Sequence, residues 1–242
     1  SAMAAMRWYL VFLLPLALNV HESQPAERLS FGAAARRGLR ELLGTLREIS
    51  RYREIGLFLV AYWLYIDAVN TIIKMAVDYG VALGLPTSSL LAALLLTQFV
   101  AFPAALFFGW LGDRIGAKRG ILIGIAVYSV ATVYAFFLDS VVEFFGLAVV
   151  IGLVQGGVQS LSRSLFGRLV PPGKNGEFFG FYNMMGKFAT VIGPLLVAVV
   201  ALTTGSSRAS IASLVVLFIA GGLVLLLVKD PPSARDPGRR SD

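Results

Sequence analysis

The sequence contains no cysteine and a single histidine, His21. Without cysteine there is no disulfide framework, thiolate nucleophile or thiolate metal site. One histidine just beyond an apolar run supplies too few ligands for zinc or haem, so neither a metal nor another cofactor is expected. Charge is also scarce. Only 14% of the 242 residues are Asp, Glu, Lys or Arg, against about a quarter in a soluble domain. No G-x-S-x-G, H-E-x-x-H or G-x-G-D string occurs, and a peripheral histidine cannot serve a buried triad. An enzyme is therefore not expected.

What is plentiful is apolar surface: 57% of residues are hydrophobic and the mean hydropathy is +0.77. Six runs, at 55–77, 87–111, 120–138, 142–166, 178–203 and 209–228, reach the roughly 18–20 residues that cross a bilayer as a helix. This predicts an all-α multi-pass membrane protein. A shorter run at 8–20 precedes them. A signal-peptide reading of it would leave the Arg-rich stretch that follows outside, with no A-x-A-like cleavage site. The expected organisation is the end of a preceding helix in 1–20, a connection in 21–54, a six-helix bundle in 55–228 and a disordered tail in 229–242.

Seventeen of the 21 lysines and arginines fall in or beside the 21–54 connection, the 112–119 loop, the 163–174 region and the tail. Loops near 80, 140 and 205 hold only Arg208. Such alternation places the 21–54 loop and the C-terminus in the cytoplasm. The net charge of +7 is thus topological, and nucleic acid is not an expected partner; the lipid bilayer is. Abundant Arg, Ala and Gly point to a bacterial inner membrane. Residues 34–50 put Leu39, Leu42, Leu43, Leu46 and Ile49 on one helical face, which predicts an amphipathic helix on the membrane surface.

Charges nevertheless enter the spans. An unpaired one at mid-bilayer costs at least about 2.5–3.5 kcal/mol. Asp67, Asn70, Thr71, Lys74 and Asp78 recur at helical spacing, with Asp67 about 20 Å in from Glu54 at 1.5 Å per residue. Gln155, Gln159 and Arg163 form a second stripe, Tyr182, Asn183 and Lys187 a third, and Thr97 and Gln98 add polarity to 87–111. Gly156 and Gly157 allow close helix approach, and Gly193-Pro194 predicts a kink. The 120–138 and 209–228 runs carry no charge. Asp67 and Lys187 are expected to pair across helices, either at a solute and proton site or as a structural ion pair.

The loop "GWLGDRIGAKRG" at 109–120 lacks the G-x-x-x-x-G-K-[ST] spacing of a phosphate cradle. It resembles the signature loop of the major facilitator superfamily through Gly109, Leu111, Asp113, Arg114, Gly116, Lys118 and Ile121, with Gly112 and Ala117 departing. The strings "YIDAVNTIIKMAVDYG", "LLLTQFVAFPAALFFGWLGDRIGAK", "GLVQGGVQSLSRSLFGRLVP" and "EFFGFYNMMGKFATVIGP" resemble the vacuolar amino-acid effluxers linked to autophagy in fungi and their bacterial relatives.

The resemblance implies the C-terminal half of a twelve-helix secondary transporter, with residues 4–20 ending the sixth helix. It implies that the first, second, fourth and fifth spans line a cavity and that the solute is an amino acid. Asp67, Asn70, Thr71, Lys74, Gln98, Gln155, Gln159, Tyr182, Asn183 and Lys187 are the candidates for solute or proton binding. Gly109, Asp113, Arg114, Gly116 and Arg163 are the candidates for a cytoplasmic gate, with Asp113 accepting from Arg163 or Arg168. The expected partner is an N-terminal six-helix half or a second copy of this chain. The competing expectation is a non-transporting membrane scaffold or assembly subunit that keeps the half-fold.

Overall fold

The computed structural model describes residues 31–49 and 51–229. The run at 8–20, the first part of the 21–54 connection and the tail from 230 lie outside the described residues. Among those described, all regular structure is helical: α1 (Phe31–Ile49), α2 (Arg53–Ala82), α3 (Thr87–Ile115), α4 (Ala117–Ala135), α5 (Val141–Leu169), α6 (Asn175–Phe188), α7 (Ile192–Thr204), α8 (Ser207–Ala212) and α9 (Val215–Leu227). Six segments are long and apolar enough to cross a membrane, with α6 and α7 making the fifth and α8 and α9 the sixth. All six expected runs are found as helical segments; most begin or end a few residues beyond the expected bounds, the third stops at Ala135, and the fifth and sixth are each made of two helices.

The chain divides into two units after Leu43. The first holds the N-terminal part of α1; the second, from Gly44, holds the end of α1 and every span. In the second unit, Ile49 is buried in the main core, Glu48 pairs with Lys174, and Tyr52 meets Phe178 edge-on at 6.2 Å.

Local chemistry sets the helix ends. Ser140 Oγ accepts from Glu143 N at 3.2 Å, while Glu143 Oε2 accepts from Asp139 N at 2.9 Å, together quieting two amides at the start of α5. The corner between α3 and α4 turns at Gly116, whose φ of 91° is open to glycine and strained for other residues.

With lipid outside, helices gain little from apolar burial alone, and close packing of small residues must hold them. The α3–α5 seam shows this. A Cβ on Gly152 would press on the Thr97 carbonyl, one on Gly156 would run into the Ala101 and Ala105 backbone, and one on Gly157 would enter the Phe108 ring. Thr97 Oγ1 completes the seam by donating to Ala93 O at 2.9 Å and Ala148 O at 3.2 Å. Leu161 of α5 sits between Gly112 and Gly120, both within the signature loop. On the other side, Gly221 of α9 approaches the α2 backbone at Ala61 and Tyr65, and Tyr128 of α4 stacks on Phe218 of α9 at 5.2 Å.

Candidate functional site

The fifth span is broken. Residues 189–191 leave helical geometry between α6 and α7, just before the expected Gly193-Pro194 kink. A break inside a membrane span leaves backbone groups that have no water to turn to, each costing several kcal/mol if unmet. Three of these groups are met from α2. Asp67 Oδ2 accepts from Ile192 N at 2.9 Å and from Gly193 N at 3.0 Å, at the first turn of α7. Pro194 has no N–H, and Leu195 N already bonds Val191 O at 3.3 Å. On the other side of the break, Asn70 Nδ2 donates to Ala189 O at 3.1 Å. One carboxylate and one amide, three residues apart on a single helix face, thus serve both free ends.

Asp67 is 1% exposed. Its second oxygen accepts from Thr71 Oγ1 at 3.4 Å. Gly193 is required at this joint, because a Cβ there would collide with Thr71 Oγ1 and approach Asp67 Oδ1. The negative charge also sits at the positive end of the α7 dipole. Asp67 therefore fastens α2 to the start of α7, and this corrects the expected ion pair: among the described residues none joins Asp67 to Lys187, whose side chain is exposed on α6. The carboxylate found backbone donors closer at hand. Sequence spacing recorded its depth and could not record that the facing helix would open there.

The other candidates divide by environment. Lys74, Gln98, Gln159 and Asn183 are exposed. Gln155 is buried and its Nε2 donates to Gln98 Oε1 at 3.5 Å, joining α5 to α3. Tyr182 lies in an aromatic cluster, stacked on Tyr62 at 4.4 Å and on Phe166 at 4.8 Å, and is 2% exposed. It packs the α2–α5–α6 junction, on the face of α6 that turns inward while Asn183 and Lys187 are exposed. Beside this cluster Tyr65 OH and Ser162 Oγ lie 2.7 Å apart, a buried bond between α2 and α5 for which sequence reading offered no signal beyond the two residue types.

At the loop end Asp113 pairs with Arg168 at 3.5 Å, and Arg163 is left exposed. Arg114 lies over the Trp110 ring, 4.1 Å from its centroid, and Gly109 and Gly116 have open space where a Cβ would stand. Sequence reasoning did not foresee what Lys118 does. Its ammonium donates to Leu226 O at 3.0 Å and Val228 O at 2.5 Å, capping α9. Beyond it Glu54 Oε2 accepts from Lys229 N at 2.6 Å. The start of α2, the signature loop and the end of α9 are thereby tied together. At the opposite end Arg208 donates to Asp139 Oδ1 at 2.5 Å and to Phe136 O at 2.9 Å. No cluster of three or more potential metal ligands occurs among the described residues.

Comparison with known proteins places these features. The family model described as vacuole effluxer Atg22-like matches residues 2–237. An uncharacterized MFS-type transporter, YxiO of Bacillus subtilis, is 40% identical over 235 residues, covering 97% of this chain and 54% of its own length. Autophagy-related protein 22-2 of Emericella nidulans is 30% identical over 205 residues, 78% of this chain and 33% of its own. Autophagy-related protein 22-1 of Aspergillus niger is 27% identical over 256 residues, 95% of this chain and 41% of its own. The chain thus spans about half the length, or less, of these relatives. Its six spans are consistent with the C-terminal half of a major facilitator transporter. This multi-pass membrane protein belongs to the Atg22-like vacuole effluxer family.

Proposed function

We propose that the chain is half of a secondary active transporter that moves a small polar solute by alternating access, rocking against a second six-helix unit. The observation that carries this is the broken fifth span, whose joint is closed by Asp67 and Asn70. Irregular backbone at membrane depth is tolerated where it is buried in protein or lines a wet path. The exposed side chains of Lys74, Gln98, Gln159, Asn183 and Lys187 belong to α2, α3, α5 and α6. By contrast α9 bears no charge, and the only charges of α4 are in its first turn. This distribution supports a solute path bounded by the first, second, fourth and fifth spans, completed by an N-terminal six-helix half or a second copy of this chain.

Amino acids are the solute class that the effluxer resemblance implies. Abundant Arg, Ala and Gly support a bacterial inner membrane location, and the loops rich in lysine and arginine support an orientation with the 21–54 loop and C-terminus in the cytoplasm. In this reading Asp113–Arg168 and the Lys118 cap hold the cytoplasmic end closed. Asp67 is the proton-linked group: protonation withdraws the negative charge that the α7 N–H groups meet and weakens the joint, while its carbonyl oxygen can still accept from them. Lys187, near the same span break and unpaired with Asp67, is the solute-facing cation.

The test is transport of labelled amino acids by the full-length protein in proteoliposomes across a pH series. Asp67→Asn is expected to flatten the pH dependence while leaving residual transport. A rate and pH profile equal to wild type would remove Asp67 from coupling, and no transport of any amino acid by folded wild-type protein would favour the scaffold alternative.

A further inference from the structure

A second cavity-bearing region lies away from the joint. Ile72 and Ala76 of α2, Ala93 of α3, Ala131 of α4, and Phe144 and Ala148 of α5 wall a void of about 160 Å³. Its hydroxyl wall groups are already engaged. Thr97 OH bonds the Ala93 and Ala148 carbonyls, Thr132 OH bonds Tyr128 O at 2.7 Å, and Tyr79 OH bonds Ala135 O. Gln155 and Gln98 bond each other at one end. Among the buried wall atoms Gln155 Oε1 has no partner, and Gln98 at the same end is exposed. A buried water needs two to four polar partners, and away from the glutamine end the wall is apolar or internally bonded; an engineered dry cavity of about 150 Å³ binds benzene or xenon.

We infer that this chamber is a binding site for a small, uncharged, apolar molecule of about benzene or toluene size. Hydrocarbon of that kind dissolves in the bilayer and reaches the spans directly. Its recognition is by shape and dispersion, with no hydrogen bond to the wall. Because five spans line the void, the sixth through Ile211, an occupant favours the arrangement that holds them together, by mass action on that state alone.

Toluene is the probe, added to the full-length protein in detergent while thermal unfolding is followed. Saturating toluene is expected to raise the midpoint by on the order of 2 °C in wild type. Ala131→Leu and, as a milder filling at a half-exposed wall residue, Ala76→Leu should abolish that rise. Thr132→Val should keep it, since its hydroxyl serves its own helix. Xenon exchange followed by ¹²⁹Xe resonance should show a bound environment in wild type and Thr132→Val, and none in the filled variants. No rise in wild type, or an equal rise in both filled variants, would overturn the site and reduce the effect to solution of toluene in detergent. Inhibition of transport by toluene in wild type and not in Ala76→Leu is a second readout. It rests on the transport reading, while the thermal and xenon results do not.

Discussion

Two helix seams of this bundle are built by opposite means. Between α3 and α5, glycines at 152, 156 and 157 let backbones approach until no Cβ would fit, and the one ion pair joining the two helices, Asp113–Arg168, is exposed at their loop end. Between α2 and α7, a buried carboxylate and its neighbouring amide reach across to a helix that has come apart. The first seam is defined by many small contacts and has one good fit. The second is defined by three hydrogen bonds to one short stretch, so loss of an acceptor or a competing group can undo it. The contrast teaches where rigidity and movement are placed: α3 and α5 form a fixed pair, and the fifth span carries a joint.

The largest effect should come from spoiling the rigid seam. Gly156→Val would drive side-chain atoms into the Ala101 and Ala105 backbone, and overpacking of a tight contact with no flexible neighbour should cost about 3 kcal/mol or more. Loss of folded protein on size-exclusion chromatography is the expected reading, and near-normal yield would break the comparison.

Next is the joint. Asp67→Ala strands two amides and should lower stability by about 2–4 kcal/mol. Asp67→Asn should cost much less, because both amides bond a single oxygen, Oδ2, which an asparagine carbonyl can replace. Thermal midpoints of the two variants in detergent check this order. Asn70→Ala removes one donor from the Ala189 carbonyl and should cost about 1 kcal/mol. The smallest effect belongs to Asp113→Asn. Asp113 and Arg168 are 66% and 37% exposed, and such a pair contributes about 0–1 kcal/mol. Its midpoint should barely move, and any change in transport rate would then report on gating alone.

The sequence made much of this legible. Run length and hydropathy located all six spans, because a helix in lipid must satisfy its own backbone and so announces itself by length. Alternating charge and the 109–120 string pointed to the family. The α3–α5 seam was visible in Gly156 and Gly157. What stayed hidden was which partner each polar group would choose. Asp67 and Lys187 have compatible charge, yet the carboxylate is taken by the Ile192 and Gly193 amides that the break at 189–191 leaves free, and only the position of α7 reveals them. Tyr182 follows Phe181 and precedes Asn183 in a polar-looking string, but helix rotation turns it into the aromatic core. Lys118 matched a motif by type, while its real partners lie at 226 and 228, on the last helix. Periodicity reports faces, and partners across a bundle depend on rotation and break points that it does not encode.

The claim at the centre is that Asp67 holds together the two pieces of the fifth span. Hydrogen exchange at the Ile192 and Gly193 amides measures it directly, in wild type, Asp67→Asn and Asp67→Ala. Protection is expected in wild type and largely in Asp67→Asn, with at least a tenfold faster exchange in Asp67→Ala, as about 1.4 kcal/mol of lost bonding requires. Equal protection of both amides in Asp67→Ala would contradict it.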